Sequence, residues 1–250
     1  MTDDEFLDHI AITLGALPGV TAVALGGSRA QGTWHVDSDW DFSIYYRGSF
    51  DVESVRALGW DGSTTDIGGW GPVFNGGGKF LVQGRSIDIH YRDLDLVERI
   101  RTEIERGEYW VQPLLFHQAG VPSYILIAEL AMNRVLSGAV PTVSYPAALR
   151  ASAPERWLDD ARLTLYYARH GHAVHGRGAQ CAGLLAMATC FAAHAVLARD
   201  GVWVTNEKQL LTKAGLRGVD GVVAALGGSP GQLLESVDRV EGIIRSVIAL

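Results

Sequence analysis

The chain has 250 residues, a formal net charge of −7 and a pI near 5.6. With 48% hydrophobic and 20% charged residues it has an ordinary globular composition, able to bury a core. Its acidic balance argues against a nucleic acid as main partner, because a long phosphate backbone demands a basic face.

The first element is a helix from about Asp3 to Leu17. Thr2 and Glu5 form a capping-box pattern, Phe6, Leu7, Ile10 and Leu14 follow helical spacing, and Pro18-Gly19 ends the run. The acidic start, Met1-Thr2-Asp3-Asp4-Glu5, is the opposite of a secretory leader's basic one. Val20–Leu25 is a short β-branched run and reads as a strand, closed by Gly26-Gly27-Ser28 as a tight turn. From Asp41 to Tyr46, Phe42, Ile44 and Tyr46 alternate with Asp41, Ser43 and Tyr45, the period of a strand. Val52–Leu58 is expected to be a short helix, and the Gly-rich stretch 59–78 a loop or a pair of mobile turns. Lys79–Gln83 and Ser86–Tyr91 read as strands joined in a hairpin at Gly84-Arg85, and Asp93–Arg106 as a charged amphipathic helix.

Beyond about residue 112 strand signals fade. Helices are expected at 122–136, 154–173, 179–199, 207–214 and 230–249. The plan is an α+β protein: an N-terminal domain, 1–112, with a mixed sheet and flanking helices, then an all-α bundle, 113–250. Cys181–Ala198 carries no formal charge, yet it is Ala-rich, contains Thr189 and His194, and barely reaches membrane-spanning length, so a buried helix is the expectation. Cys181 and Cys190 would lie roughly 13 Å apart along that helix, too far for a disulfide, which points to a reducing compartment such as the cytoplasm.

The chemistry concentrates in Gly26-Gly27-Ser28-Arg29 and Ser38-Asp39-Trp40-Asp41. At strand period Asp39 and Asp41 share a face, so both carboxylates address one site. Two carboxylates that close repel each other unless a cation lies between them, and hard oxygen ligands suit magnesium. Glycine lets backbone N–H groups approach a phosphate, while Ser28 and Arg29 would add side-chain donors. In Ser86-Ile87-Asp88-Ile89-His90-Tyr91 the alternation leaves Asp88 and His90 opposite the core face, so Asp88 supplies a third acid. Three such acids can hold two metal ions.

Gly-Gly-Ser, a gap, Asp-x-Asp and a distant Asp within a strand resemble the DNA polymerase β-type nucleotidyltransferase superfamily over residues 25–44 and 86–91, and more loosely over about the first 110. The resemblance implies that Gly27 and Ser28 contact a nucleoside triphosphate, with ATP the default. It also implies that Asp39 and Asp41 bind two magnesium ions, and that Asp88 binds the catalytic one and helps to activate an acceptor hydroxyl. The helical half is similar in layout to small bacterial aminoglycoside and lincosamide nucleotidyltransferases. By that analogy Lys208, in Trp203-Val204-Thr205-Asn206-Glu207-Lys208, would reach the triphosphate, and Asn206 or Glu207 would line the cleft. The implied acceptor is a small hydroxylated molecule such as an aminoglycoside-like antibiotic, with a protein acceptor or non-catalytic nucleotide binding as alternatives.

Bland readings stand beside these. Arg29 is also what a solvated charge after a turn looks like. His90 reads as a partner of metal or acceptor, or as a hydrogen-bonded structural histidine. Glu129 reads as a general base or as a helix-surface acid. Glu207 and Lys208 read also as the first turn of a helix capped by Asn206. His170, His172 and His175 lack zinc spacing and read as a polar helix end. Trp40, between the two acids, should point into the core, while Trp34, Trp60 and Trp70 fall near the site. Neither a nucleic acid nor a membrane is expected as partner, and the protein is expected to be a monomer or a homodimer.

Overall fold

A computed structural model describes residues 1–248. It resolves into two compact units, one made of residues 1–103 and 122–144, the other of 104–121 and everything from Tyr145 on. The chain passes between the units three times, at 103/104, 121/122 and 144/145, because from Pro122 it returns to the first unit.

In chain order the first unit contains α1 (Asp3–Gly15), β1 (Val20–Leu25), α2 (Gly27–Gln31), β2 (Trp40–Tyr46), α3 (Glu53–Arg56), β3 (Asp61–Thr64), α4 (Gly71–Phe74), β4 (Gly77–Val82), β5 (Arg85–Asp93) and most of α5 (Leu94–Glu105). The hairpin β6 (Val111–Leu114) and β7 (His117–Pro122) follows. The chain then adds α6 (Ile125–Met132) and β8 (Arg134–Gly138) to the first unit. The six strands of its sheet lie in the order β3-β4-β5-β2-β1-β8. Only β2 and β5 run parallel; the other neighbours are antiparallel.

The capping box forms as expected: Thr2 N–H donates to Glu5 Oε2 at 2.7 Å, and Glu5 N–H to Thr2 Oγ1 at 3.2 Å. Phe6, Leu7, Ile10 and Leu14 are buried against Val23 and Leu25 of β1, Trp40, Phe42 and Ile44 of β2, and Ile87, Ile89 and Tyr91 of β5. Trp40 points into this core, edge-on to Phe6 at 5.2 Å, as the alternation required.

Three expectations need correction. The stretch 59–78 is not all loop, since β3 pairs with β4 and α4 lies between them. The helix expected at 122–136 stops at Met132. Asn133 adopts an extended backbone (ψ 151°), and Arg134–Gly138 then pairs with β1. The hairpin turn is Gln83-Gly84, not Gly84-Arg85. Both residues have positive φ (51° and 75°), the two-residue turn that matches strand twist, and it places Lys79 opposite Asp88.

The second unit is mainly helical: α7 (Ala147–Tyr167), a π-helical turn (Ala168–His172), a 3-10 turn (Ala173–His175), α8 (Gly178–Asp200), α9 (Leu210–Lys213), α10 (Gly218–Ala224) and α11 (Pro230–Ile248). The last expected residue of that helix, Ala249, lies outside the described residues. Leu149, Ala153, Trp157, Ala161 and Leu165 make one buried stripe along α7, which packs on α8. Among the described residues α8 is the one helix long and apolar enough to cross a membrane, but 67% of its apolar window is buried inside the protein. Cys181 and Cys190 are both buried free thiols on that helix.

Candidate active site

Consider the sheet face opposite α1. Side chains alternate along a strand, so Asp41, Ser43 and Tyr45 of β2 share this face, as do Asp88, His90 and Arg92 of β5. The parallel register sets them in pairs: Asp41 beside Asp88, Ser43 beside His90, Tyr45 beside Arg92. Asp39 lies just ahead of β2, and Lys79 of β4 stands next to Asp88 in the antiparallel register. One row across the sheet therefore reads Lys79, Asp88, Asp41, with Asp39 one step beyond its end. All three acids are partly accessible to solvent.

The Lys79 ammonium donates to Asp39 Oδ2 at 2.8 Å and lies 3.8 Å from Asp88 Oδ1. Its hydrogen bond to Asp39 raises its pKa above the ordinary lysine value, with Asp88 and Asp41 adding to the effect. Lys79 did not figure among the expected site residues. The signal was available: a two-residue turn at Gln83-Gly84 fixes Lys79 opposite Asp88.

Gly27 earns its place differently from the expectation. Its φ is +61°, and a Cβ built there would lie 1.8 Å from Asp41 Oδ2. The missing side chain makes room for a carboxylate of the acid row. The neighbouring Gly26 N–H is spent on Asp41's own carbonyl at 2.7 Å, so it has no hydrogen to offer a phosphate. The turn continues into the short helix α2, which starts at Gly27 and carries Ser28 and Arg29. Sequence and structure agree that turn and acids adjoin.

Arg29 is half-buried, and its side-chain hydrogen bonds go to the loop ahead of β2. Its Nε and Nη2 donate to the Ser38 carbonyl at 3.2 and 3.0 Å, and its guanidinium lies over Trp40 (3.9 Å) and Trp34 (4.8 Å). Burial lowers its pKa. It clamps the loop that delivers Asp39. Arg29, Trp34, Ser38, Asp39 and Arg85 also line a cavity of about 400 Å³.

Further along the same face the polar layer goes underground. Arg92 is 1% exposed. Its Nε donates to Glu129 Oε2 at 2.5 Å and its Nη2 to Oε1 at 2.9 Å, a two-pronged ion pair between β5 and α6. Nη1 donates to the carbonyls of Phe74 (2.8 Å) and Tyr91 (3.1 Å). Glu129 is therefore not a surface acid. Two guanidinium hydrogens already occupy its carboxylate, which is poor preparation for a general base.

His90 Nδ1 faces Arg92 Nη2 at 3.2 Å, and its ring meets Trp70 edge-on at 5.9 Å. Burial, and then the positive Arg92, press its pKa down to about 4. A neutral ring accepts at Nδ1 and carries its hydrogen on Nε2. The structural reading of His90 fits this environment. Asn133, at the end of α6, donates through Nδ2 to Tyr45 Oη at 3.2 Å and Ser43 Oγ at 3.5 Å. It ties α6 to β2, and neither Asn133 nor Arg92 figured among the expected site residues.

In the helical unit, Glu207 Oε2 and Oε1 accept the Gln118 and Ala119 N–H groups of β7 at 2.8 and 2.9 Å. Glu207 and Lys208 lie ahead of α9 rather than in its first turn. Asn206 Oδ1 accepts the Lys208 N–H at 3.0 Å, and Lys208 itself is exposed. Arg169 pairs with Asp238 and Glu241, which accounts for the basic end around His170 and His172 as an ion-paired surface.

Among the described residues, no three His, Cys, Asp or Glu side chains already form a metal cage. The donor set nonetheless fits a hard divalent cation: carboxylate oxygens on one face, two of them on adjacent strands in register, with a cationic ammonium already drawn to them. Asp39, Asp41 and Asp88 are the residues that would hold it.

Residues 10–109 match the family model described as Nucleotidyltransferase domain. Among solved structures, the chain is similar to a nucleotidyltransferase-like protein from Exiguobacterium sibiricum 255-15. The identity is 8% and the TM-score 0.47, over 98% of this chain and 75% of that one. No curated protein matches the chain.

Proposed function

We infer that this chain, a nucleotidyltransferase enzyme whose residues 10–109 form a domain of the polymerase β type, moves a nucleoside monophosphate from a nucleoside triphosphate to a hydroxyl of a small acceptor. The observation that carries the reading is the register of Asp41 beside Asp88, with Gly27 pressed against the Asp41 carboxylate. It joins the turn and the acids into one site.

The β- and γ-phosphates of the nucleotide, ATP by default, take their place at Gly27 and Ser28. Asp39, Asp41 and Asp88 would hold magnesium. When bound, magnesium would neutralise phosphate charge and favour ionisation of the attacking hydroxyl. Asp88 accepts the hydroxyl proton, the acceptor oxygen bonds to the α-phosphorus, and the α–β bridging bond breaks to release pyrophosphate. The Arg29 clamp fixes the loop carrying Asp39. The buried Arg92–Glu129 pair and Asn133 hold β5, β2 and α6 in place, so the acids are positioned before substrate arrives.

Acceptor recognition is assigned to the helical unit. An aminoglycoside-like polycation suits the acidic chain, since opposite charge speeds encounter. The buried free thiols are compatible with a cytoplasmic enzyme. The test is pyrophosphate release from the four nucleoside triphosphates, with magnesium, across aminoglycosides, lincosamides and other hydroxylated small molecules. Release that requires one compound class supports the reading and names the acceptor. Silence across the panel contradicts a small acceptor of these classes and directs the search to adenylylated proteins.

A further inference from the structure

We propose that Lys79 is the built-in counter-ion of the acid row and competes with the divalent cation for its carboxylates. The proposal rests on Asp39, Asp41 and Asp88 being metal ligands, as argued above.

The geometry is specific. The hairpin turn fixes Lys79 beside Asp88, so its ammonium projects on the same face as the acids. It hydrogen-bonds Asp39 at 2.8 Å and stands 3.8 Å from Asp88. These are the same oxygens a metal would need. Three carboxylates on one sheet face repel one another when no cation is among them, and the ammonium relieves that repulsion in the metal-free protein. Whatever stabilises the metal-free state weakens metal binding by the same amount.

The side chain is suited to yield. Lys79 is 63% exposed, and a lysine ammonium is a compact charge on a flexible stem, able to leave without moving β4. Its neighbour Phe80 is buried and holds the strand, so removing the charge leaves the packing intact. The consequence is a site that binds metal weakly when alone. A triphosphate arriving with the metal would offer the displaced ammonium new anionic partners, so the two load together.

The experiment titrates Mn2+ into the full chain without nucleotide and follows free Mn2+ by electron paramagnetic resonance. Lys79→Met and Lys79→Gln should bind Mn2+ about fivefold tighter than the parent, the scale of one exposed ion pair removed from the metal-free state. Lys79→Arg, which keeps the charge, should stay within about twofold. Melting temperatures should show the Met and Gln variants less stable than the parent without metal and gaining more on its addition. Asp41→Asn serves as the control for the metal reading itself. Equal or weaker Mn2+ binding by both neutral variants, while the parent binds and Asp41→Asn does not, overturns the role of Lys79 and leaves the metal site standing. Absence of Mn2+ binding in the parent and in both neutral variants removes the metal reading and the proposal with it.

Discussion

Replacing Glu129 by Gln separates the two roles the sequence allowed it. The carboxylate sits 8% exposed on α6 and takes two guanidinium hydrogens from Arg92, itself 1% exposed. Gln keeps the shape and one acceptor but leaves the Arg92 charge uncompensated. Breaking a buried pair from one side costs about 3–5 kcal/mol. For a chain of this size each kcal/mol lowers the melting temperature by about 2–4 °C, so a fall of ~6–20 °C is expected. The double variant Arg92→Met/Glu129→Leu should recover much of the loss, because no buried charge is left unpaired. Melting curves with pyrophosphate release measured well below the transition make the assay. Turnover in the folded fraction should fall far less than stability. A Glu129→Gln protein with the parent's melting temperature and no turnover would refute the structural role and make Glu129 a catalytic base.

Other consequences are as specific. Gly27→Ala forces a Cβ into the Asp41 carboxylate at a left-handed φ, so turnover should drop at least about a hundredfold, as expected when a reacting group is displaced by an ångström, with only about 1–2 kcal/mol lost from stability. His194, stacked on Trp157 at 4.7 Å with its buried Nε2 lacking a hydrogen-bond partner, has its pKa pressed to about 3, by burial first and His117 second. The unfolded chain takes up that proton near pH 6.5 and the folded one near 3, so stability should be full above 6.5 and decline between those values. His194→Phe should flatten the decline when urea midpoints are compared across pH, and an unchanged profile would contradict the assignment. Glu207→Ala strips the acceptor from two β7 N–H groups and should cost about 1–3 kcal/mol in urea melts. Lys208→Ala, at an exposed site, should change stability by less than about 0.5 kcal/mol in the same melts.

Much of the site was legible because its chemistry is local in sequence. Strand alternation put Asp41 and Asp88 opposite the core, and the parallel register of β2 and β5 then made them neighbours. Less visible was anything that depends on partners far along the chain. β8 follows α6 with no glycine or proline to mark the change, and its exposed, mixed-polarity residues carry little alternation. β3, Asp61–Thr64, is short and largely exposed, and looks like the loop around it. The Arg92–Glu129 pair left a trace on one side only: a lone acid inside the apolar helix α6 needs a buried partner, and Arg92 is that partner. Gly27 was singled out for phosphate access, whereas the space its missing side chain leaves is filled by Asp41.

The central claim is that nucleotidyl transfer runs on the acid row, and one comparison tests it most directly: acceptor- and magnesium-dependent pyrophosphate release by the parent chain beside Asp41→Asn and Asp88→Asn. The account predicts release in the parent and none above background in either variant, with melting temperatures held within a few degrees because both side chains are partly solvent-accessible. Near-parental release by either variant would contradict it.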